Sequence, residues 1–340
     1  MQNSTSKRLR YITLGVAFVF CVMVNLLYGQ VPWSLAYQGF IERLTGTSHQ
    51  WNPILDERIP RLIVTVCTGA SLATSGLVMQ SLFQNPLASP SILGTSCGGS
   101  LCVTLVYVFD WQFQYPFSIP IAAIFGCLVA LLLVYGLSQV NGHLNINTLI
   151  LTGIAISTLL IACQGVIMYA LRENWHLIQV LTEWEAGSTM DRSWKHVNMQ
   201  VPLTLIGLYG CWYYRRELDI LALGSEEALN LGVDVSIVRW RLFLCVALLV
   251  GGALAAVGII AFFGLVLPHL FRNLFGPQNN QLVPLCSIGG AMIFTSLDLI
   301  LRIGDIHTLS IGNISAIIGG MFFLILLFRS KRRTAEVYGG

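Results

Sequence analysis

Long apolar runs separated by short polar segments dominate the chain. We interpret ten of these runs as membrane-spanning helices: residues 11–29, 60–80, 92–109, 117–139, 146–171, 197–214, 240–262, 264–275, 282–303 and 311–329. One crossing of the hydrocarbon core needs about 20 mostly apolar residues, so the run at 264–275 is short for a span. The runs are continuous rather than alternating, and a backbone in lipid must satisfy its own hydrogen bonds. The pattern therefore predicts helices and excludes spanning strands.

The composition agrees with this reading. Of the 340 residues, 55% are hydrophobic and 10% are charged, whereas a soluble domain has about 25% charged residues. Between Leu62 and Leu171 the only formally charged side chain is Asp110. A soluble fold must cover its surface with polar groups. An uncharged stretch of this length therefore excludes a soluble protein. We predict an all-α, polytopic membrane protein with about ten transmembrane helices, forming one transmembrane domain over residues 1–340.

The basic residues predict an orientation. If the N-terminus is cytoplasmic, twelve of the nineteen Lys and Arg residues lie on the cytoplasmic side. This bias favours cytoplasmic locations for both termini. Seven basic residues remain on the outer side: Arg43, Arg58, Arg61, Arg172, Arg192, Lys195 and Arg302.

The longest polar segment on the predicted inner side covers residues 215–241, with a candidate coupling segment at 218–238. We expect a short helix here, with Ser225 as N-cap, Glu226 and Glu227 near the positive end of its dipole, and Gly232 as its stop signal. A solvated loop is the alternative. The segment has several apolar residues, which favour docking to another protein over a free loop: Leu221, Leu223, Leu229, Leu231 and Val233.

The sequence lacks the motifs that are typical of several classes of transport protein and ATPase. No GxxxxGK[ST] phosphate-binding loop occurs, so the chain is not expected to hydrolyse ATP. The spans have no run of carboxylates or histidines of the kind that ion-coupled transporters use. We therefore predict no catalytic residue, cofactor or metal site, and an energy source in a separate ATPase. A solitary secondary transporter or channel is the rival hypothesis.

Three outer arginines run against the charge bias. Arg58 and Arg61 begin the second span, and Arg302 lies near the outer end of the ninth. One interpretation is that they are interfacial residues that extend towards water, with Arg302 paired to Asp298 one helical turn earlier. Alternatively, their forked guanidinium groups receive carboxylates from an extracytoplasmic partner. The residues alone leave both interpretations open.

Several motifs, in this order and spacing, give the chain a family resemblance over nearly its whole length. They are 58–61 (RIPR), 69–76 (GASLATSG), 84–90 (QNPLASP) with Leu93 and Gly94, 218–233, 264–269 (GLVLPH) with Arg272, and Asp298 with Arg302. The sequence resembles the permease subunits of ATP-driven importers for iron-siderophore complexes, haem and cobalamin. The resemblance implies a type II ABC importer permease in the bacterial cytoplasmic membrane, surrounded by lipid and with no nucleic-acid partner.

The resemblance also implies partners and site residues. Two permeases, as a homodimer or with a paralogue, would work with two ATPase subunits and an extracytoplasmic substrate-binding protein. Docking of the binding protein would involve Arg58, Arg61 and Arg302. Coupling to the ATPase would involve Ser225, Glu226, Glu227, Ala228, Leu229 and Gly232. The gate would include Asn85, Pro86, Leu87, Asn145 and Asn147.

The sequence departs from the family pattern at a few positions. Gln84 stands where Arg is usual, residues 307–310 read HTLS where the family has PELP, and Met321 replaces a common Pro. The change at 307–310 lies near the expected docking surface and bears on the partner and the cargo rather than on the fold. A ferric siderophore is the first candidate cargo, and haem, cobalamin and molybdate are the alternatives.

Overall fold

The computed structural model describes residues 2–29, 31–46, 50–140, 143–144, 146–304 and 309–338. This part of the chain forms fifteen α-helices, one π-helical turn and one pair of two-residue strands. In chain order these are α1 (Gln2–Leu27), α2 (Trp33–Leu44), the π-helical turn (Pro53–Arg58), α3 (Ile59–Leu82), α4 (Thr95–Val108), α5 (Trp111–Gln114), α6 (Ser118–Leu137), β1 (Gln139–Val140), β2 (His143–Leu144), α7 (Ile146–Ala170), α8 (Trp175–Ala186), α9 (Trp194–Tyr213), α10 (Arg215–Leu221), α11 (Ser225–Asn230), α12 (Val235–Val257), α13 (Phe263–Phe275), α14 (Asn279–Ile303) and α15 (Ile311–Tyr338).

All ten predicted spans correspond to helices, which confirms the all-α transmembrane class. They are α1, α3, α4, α6, α7, α9, α12, α13, α14 and α15. Among the described residues, five helices are long and apolar enough to cross a membrane by themselves, and three shorter apolar helices accompany them. The connecting helices α2, α5, α8 and α10 were not predicted. The two strands pair antiparallel, with Gln139 opposite Leu144.

The helices α3 and α12 form the centre of the bundle. In each, 78% of the residues in the most apolar 18-residue stretch are buried. Small residues allow α3 to approach α14 closely. A Cβ on Gly69 would lie 2.3 Å from the carbonyl oxygen of Gly290, so no side chain fits between the two backbones. Because lipid provides no hydrophobic force between helices, such close backbone packing is what holds a membrane bundle together.

The eighth predicted run is short because the chain crosses part of the bundle without a helix. Helix α12 ends at Val257 and α13 begins at Phe263, and α13 has 13 residues, about 20 Å at 1.5 Å per residue. The segment between them packs inside the protein, where Ile260 is buried and Ser188 donates its N–H to the Val257 carbonyl at 2.8 Å. Irregular backbone is tolerated at membrane depth when protein, rather than lipid, surrounds it.

Candidate functional sites at the two ends of the bundle

Arg61, Arg302 and Asp298 form a buried ion cluster at one end of the bundle, here called the arginine end. Arg61 on α3 places Nη2 2.8 Å from Asp298 Oδ1, and Arg302 places Nε 3.2 Å from Asp298 Oδ2. The Asp298 side chain is 1% exposed, and the hydroxyl of Thr189 also donates to it. The sequence suggested the pairing of Arg302 with Asp298, one turn apart. It gave no sign of the longer-range partner Arg61.

The cluster borders a cavity of about 630 Å³. Arg192 borders the same cavity and donates from Nη1 to the Ala256 carbonyl at 2.8 Å. Burial lowers the pKa of Arg192, although a guanidinium in a protein stays charged. Trp184, Glu183 and Asp191 also line the cavity, so it presents both signs of charge. The sequence placed Arg192 on the outer side but did not include it among the docking residues.

Arg58 does not join the other two arginines, which corrects the expectation of one three-arginine array. It is 3% exposed, and its guanidinium donates to the carbonyls of Leu26, Leu27 and Val31 at 3.0, 3.1 and 2.6 Å. The last four carbonyls of a helix have no partner within it. Arg58 lies in the π-helical turn beside the end of α1, where its guanidinium is used by these carbonyls, and it is not among the residues that line the cavity.

At the opposite end, here called the α11 end, the predicted short helix is present as α11. Its N-cap is Gly224 rather than Ser225, which corrects that prediction. Gly224 has φ +135°, a conformation that favours glycine, and the Ser225 hydroxyl accepts a bond from Arg239 at 2.5 Å. Glu226 and Glu227 lie in the first turn as predicted.

The end of α11 also follows the prediction. Gly232 has φ +81°, and the N–H of Val233 donates to the Ala228 carbonyl at 3.0 Å. The N–H of Gly232 donates to the Leu229 carbonyl at 3.0 Å, which completes a Schellman motif. Gly232 is therefore the stop signal that the sequence indicated.

The apolar residues around α11 have two different environments. Leu221 and Ala228 are fully packed against the bundle, whereas Leu229 and Leu231 are 60% and 63% exposed. Leu223 is exposed as well. Because large apolar side chains gathered on one exposed element indicate an interaction site, this element has the properties of a docking surface.

The predicted gate residues are only partly described. Asn85 is buried, and its Oδ1 accepts the N–H of Leu87 at 2.9 Å, so residues 85–87 form a side-chain-supported turn around Pro86. Asn147 lies at the start of α7, and its side chain is outside the described part of the structure. Asn145 lies outside the described residues altogether.

Relatives of this chain are membrane subunits of importers. It is 34% identical over 337 residues to the hemin transport system permease protein HmuU of Yersinia pestis, covering 94% of this chain and 97% of that protein. It is 36% identical over 285 residues to the vitamin B12 import system permease protein BtuC of Vibrio vulnificus, covering 84% and 85% of the two chains. Such proteins are permease subunits, and ATP hydrolysis lies in separate subunits.

The fold agrees with these relatives. A metal-chelate type ABC transporter solved in an inward-facing conformation superposes with a TM-score of 0.79 at 26% identity, covering 94% of this chain and 98% of that one. The model of the FecCD transport family matches residues 17–329. This chain is therefore a membrane-embedded ABC importer permease and belongs to the FecCD transport family.

Proposed function

We propose that this chain is one of two permease subunits of an importer that receives a preformed metal chelate from an extracytoplasmic binding protein. One observation supports the proposal above all. The helices α3 and α14 extend from a cavity with three arginines at one end of the bundle to α10 at the other, and α10 leads into the exposed α11. An ATP-driven importer needs these two surfaces, one for the binding protein and one for the ATPase.

The arginine end supplies the docking surface for the binding protein. Three bases, Arg61, Arg192 and Arg302, line the cavity beside three acids, Glu183, Asp191 and Asp298. Two of the bases, Arg61 and Arg302, share the single carboxylate of Asp298. An incoming carboxylate can accept paired N–H bonds from such guanidinium groups. In this arrangement Arg58 acts indirectly, because it fixes α1 next to the cluster.

The α11 end supplies the docking surface for the ATPases. Leu229 and Leu231 offer apolar contacts, and Glu226 and Glu227 offer charge at the start of the helix. This assignment places both termini in the cytoplasm of a bacterial cell, with α11 at the inner face of the cytoplasmic membrane. The membership in an ABC permease family argues against the solitary transporter as the rival function.

The proposed cargo is a ferric siderophore, with haem and cobalamin as alternatives. HmuU is named for hemin, BtuC for vitamin B12, and the structural neighbour for metal chelates. All of these names refer to a metal held in an organic chelator. They favour a chelate over a bare oxyanion such as molybdate.

Stimulated ATP hydrolysis tests this proposal. The permease is reconstituted in liposomes with its ATPase subunits and with its binding protein loaded in turn with ferric hydroxamate, hemin, vitamin B12 or molybdate. We expect stimulation and uptake with one chelate, and stimulation by the ferric hydroxamate would identify the cargo class. The empty binding protein is the control. Uptake of labelled cargo without any ATPase would contradict the proposal.

A further inference from the structure

The first turn of α14 is capped by a side chain from another helix. Asp219 on α10 accepts the backbone N–H of Asn279 at 2.6 Å through Oδ1 and that of Asn280 at 3.3 Å through Oδ2. The N-cap residue of α14 itself, Gln278, makes no side-chain capping bond. The first N–H groups of a helix have no partner within it and lie at the positive end of its dipole, so a carboxylate is well suited to this place.

Neighbouring contacts make this cap part of a larger junction. Arg215, also on α10, donates from Nε to Asn280 Oδ1 at 2.6 Å. Gln84, after the end of α3, donates from Nε2 to the Leu221 carbonyl of α10 at 3.1 Å. The junction therefore attaches α10 to α14 and to α3 at once, and α10 leads directly into α11.

The helices α3 and α14 are held to each other along their length. Ser81 donates to Asn279 Oδ1 at 2.9 Å near the junction. Farther along, the hydroxyls of Thr74 and Ser287 lie 2.9 Å apart, and the ion pair of Arg61 with Asp298 closes the arginine end. From Asn279 to Asp298 the path along α14 is roughly 30 Å at 1.5 Å per residue.

We propose that Asp219 is a positioning residue that attaches the ATPase-docking element to the helix pair α3–α14. When an ATPase displaces α11, the Asp219 cap makes the start of α14 follow α10, and the arginine cavity at the far end is displaced with it. The proposal rests on the proposed function, because it assumes that α11 contacts an ATPase. No residue assigned above to docking or gating takes this role.

The test compares two side-chain helix caps. Asn174 caps α8 by accepting the N–H of Leu177 at 3.3 Å, and it lies outside the coupling segment 218–238, so Asn174→Ala removes a cap without separating α10 from α14. Asp219→Ala removes the cap between the helices. Asp219→Asn keeps an acceptor oxygen but loses the charge, and it tests the role if Asp219→Ala does not assemble. Each variant is reconstituted with the ATPase subunits and the loaded binding protein.

The measured quantity is cargo transported per ATP hydrolysed, with ferric hydroxamate, hemin and vitamin B12 supplied in turn. We expect Asp219→Ala, which removes both charge-assisted bonds to the start of α14, to lower this ratio about tenfold, and Asp219→Asn to lower it about threefold. Asn174→Ala should lower the thermal midpoint and keep the ratio within about twofold of the wild type.

Two outcomes have different meanings. If Asp219→Ala and Asn174→Ala lower the transport ratio equally, or if neither lowers it, Asp219 has only a structural role and the proposal is overturned. The proposed function has a separate check, which is ATPase stimulation of the wild-type assembly by a loaded binding protein. Absence of that stimulation would overturn the proposed function before the Asp219 variants are compared.

Discussion

Arg61 and Asp298 form a buried ion pair between α3 and α14, with Nη2 2.8 Å from Oδ1. The two residues are 237 positions apart in sequence. The carboxylate also pairs with Arg302, so one buried acid contacts two partly buried bases. The pair therefore connects the central helix of the bundle to the helix that begins at the Asp219 cap.

Loss of this carboxylate is expected to destabilise the permease. Asp298→Ala leaves two arginines without their buried partner, which costs about 3–5 kcal/mol in the free energy of unfolding. The measurement is the thermal midpoint of the purified permease in detergent. Glu173→Ala, which removes an exposed carboxylate, is the control. Equal midpoints for the two variants would contradict this energetic role.

Neutral substitution of the cavity arginines is expected to weaken docking of the binding protein. Arg192→Gln and Arg302→Gln should each lower the affinity for the loaded binding protein about tenfold, and the difference should shrink at high salt. Arg172→Gln is the matched control, because Arg172 lies over the ring of Tyr169 at 4.8 Å and does not line the cavity. Affinity is measured by surface plasmon resonance on permease in nanodiscs. Docking at this cavity would be disproved by unchanged affinities in both cavity variants.

Arg58 is expected to act through stability. Arg58→Gln removes bonds to three carbonyls near the end of α1, and we expect a loss of about 2–3 kcal/mol in the free energy of unfolding. Thermal unfolding and binding-protein affinity are measured on the same preparation. A large loss of affinity without a loss of stability would show that Arg58 contacts the binding protein directly.

Charge reversal on α11 is expected to weaken binding of the ATPase and to slow transport. Glu226→Lys together with Glu227→Lys places positive charge at the positive end of the α11 dipole and alters the exposed surface. We expect the yield of co-purified ATPase and the transport rate to fall at least tenfold, an effect typical of disrupted charged contacts. The control Glu173→Lys lies outside α11. Wild-type transport in the double variant would rule out this coupling surface.

The contact between α3 and α14 is expected to tolerate no added side chain. A Cβ at Gly290 would lie 2.4 Å from the Gly69 carbonyl oxygen, so Gly290→Ala must push the helices apart at a cost of about 1–3 kcal/mol. Gly320→Ala is the control, because a Cβ there has no neighbour within 4 Å among the described residues. The thermal midpoint should fall for Gly290→Ala alone.

The sequence predicted best what depends on local pattern. A helix lies at each of the ten apolar runs, and Gly232 marks the end of α11, because hydropathy and glycine conformation act over a few residues. Ser225 was wrongly predicted as the N-cap, because the preceding Gly224 adopts a conformation that moves the helix start. The caps and ion pairs that join distant helices were beyond local reasoning. Asp219 shows why, since its partner Asn279 lies 60 residues later.

The helix α7 differs from the central helices in one respect that affects how the protein can change. Only 11% of the residues in its most apolar 18-residue stretch are buried within the chain, and Leu151, Leu159 and Val166 are exposed. Leu149 and Gln164 are among its buried residues, and Gln164 donates from Nε2 to Thr104 Oγ1 at 2.9 Å. Replacing one exposed apolar side chain on α7 by another therefore has little effect on folding. The exposed side chains of α7 can therefore change during evolution while the fold, which the packing of α3 and α12 stabilises, stays the same.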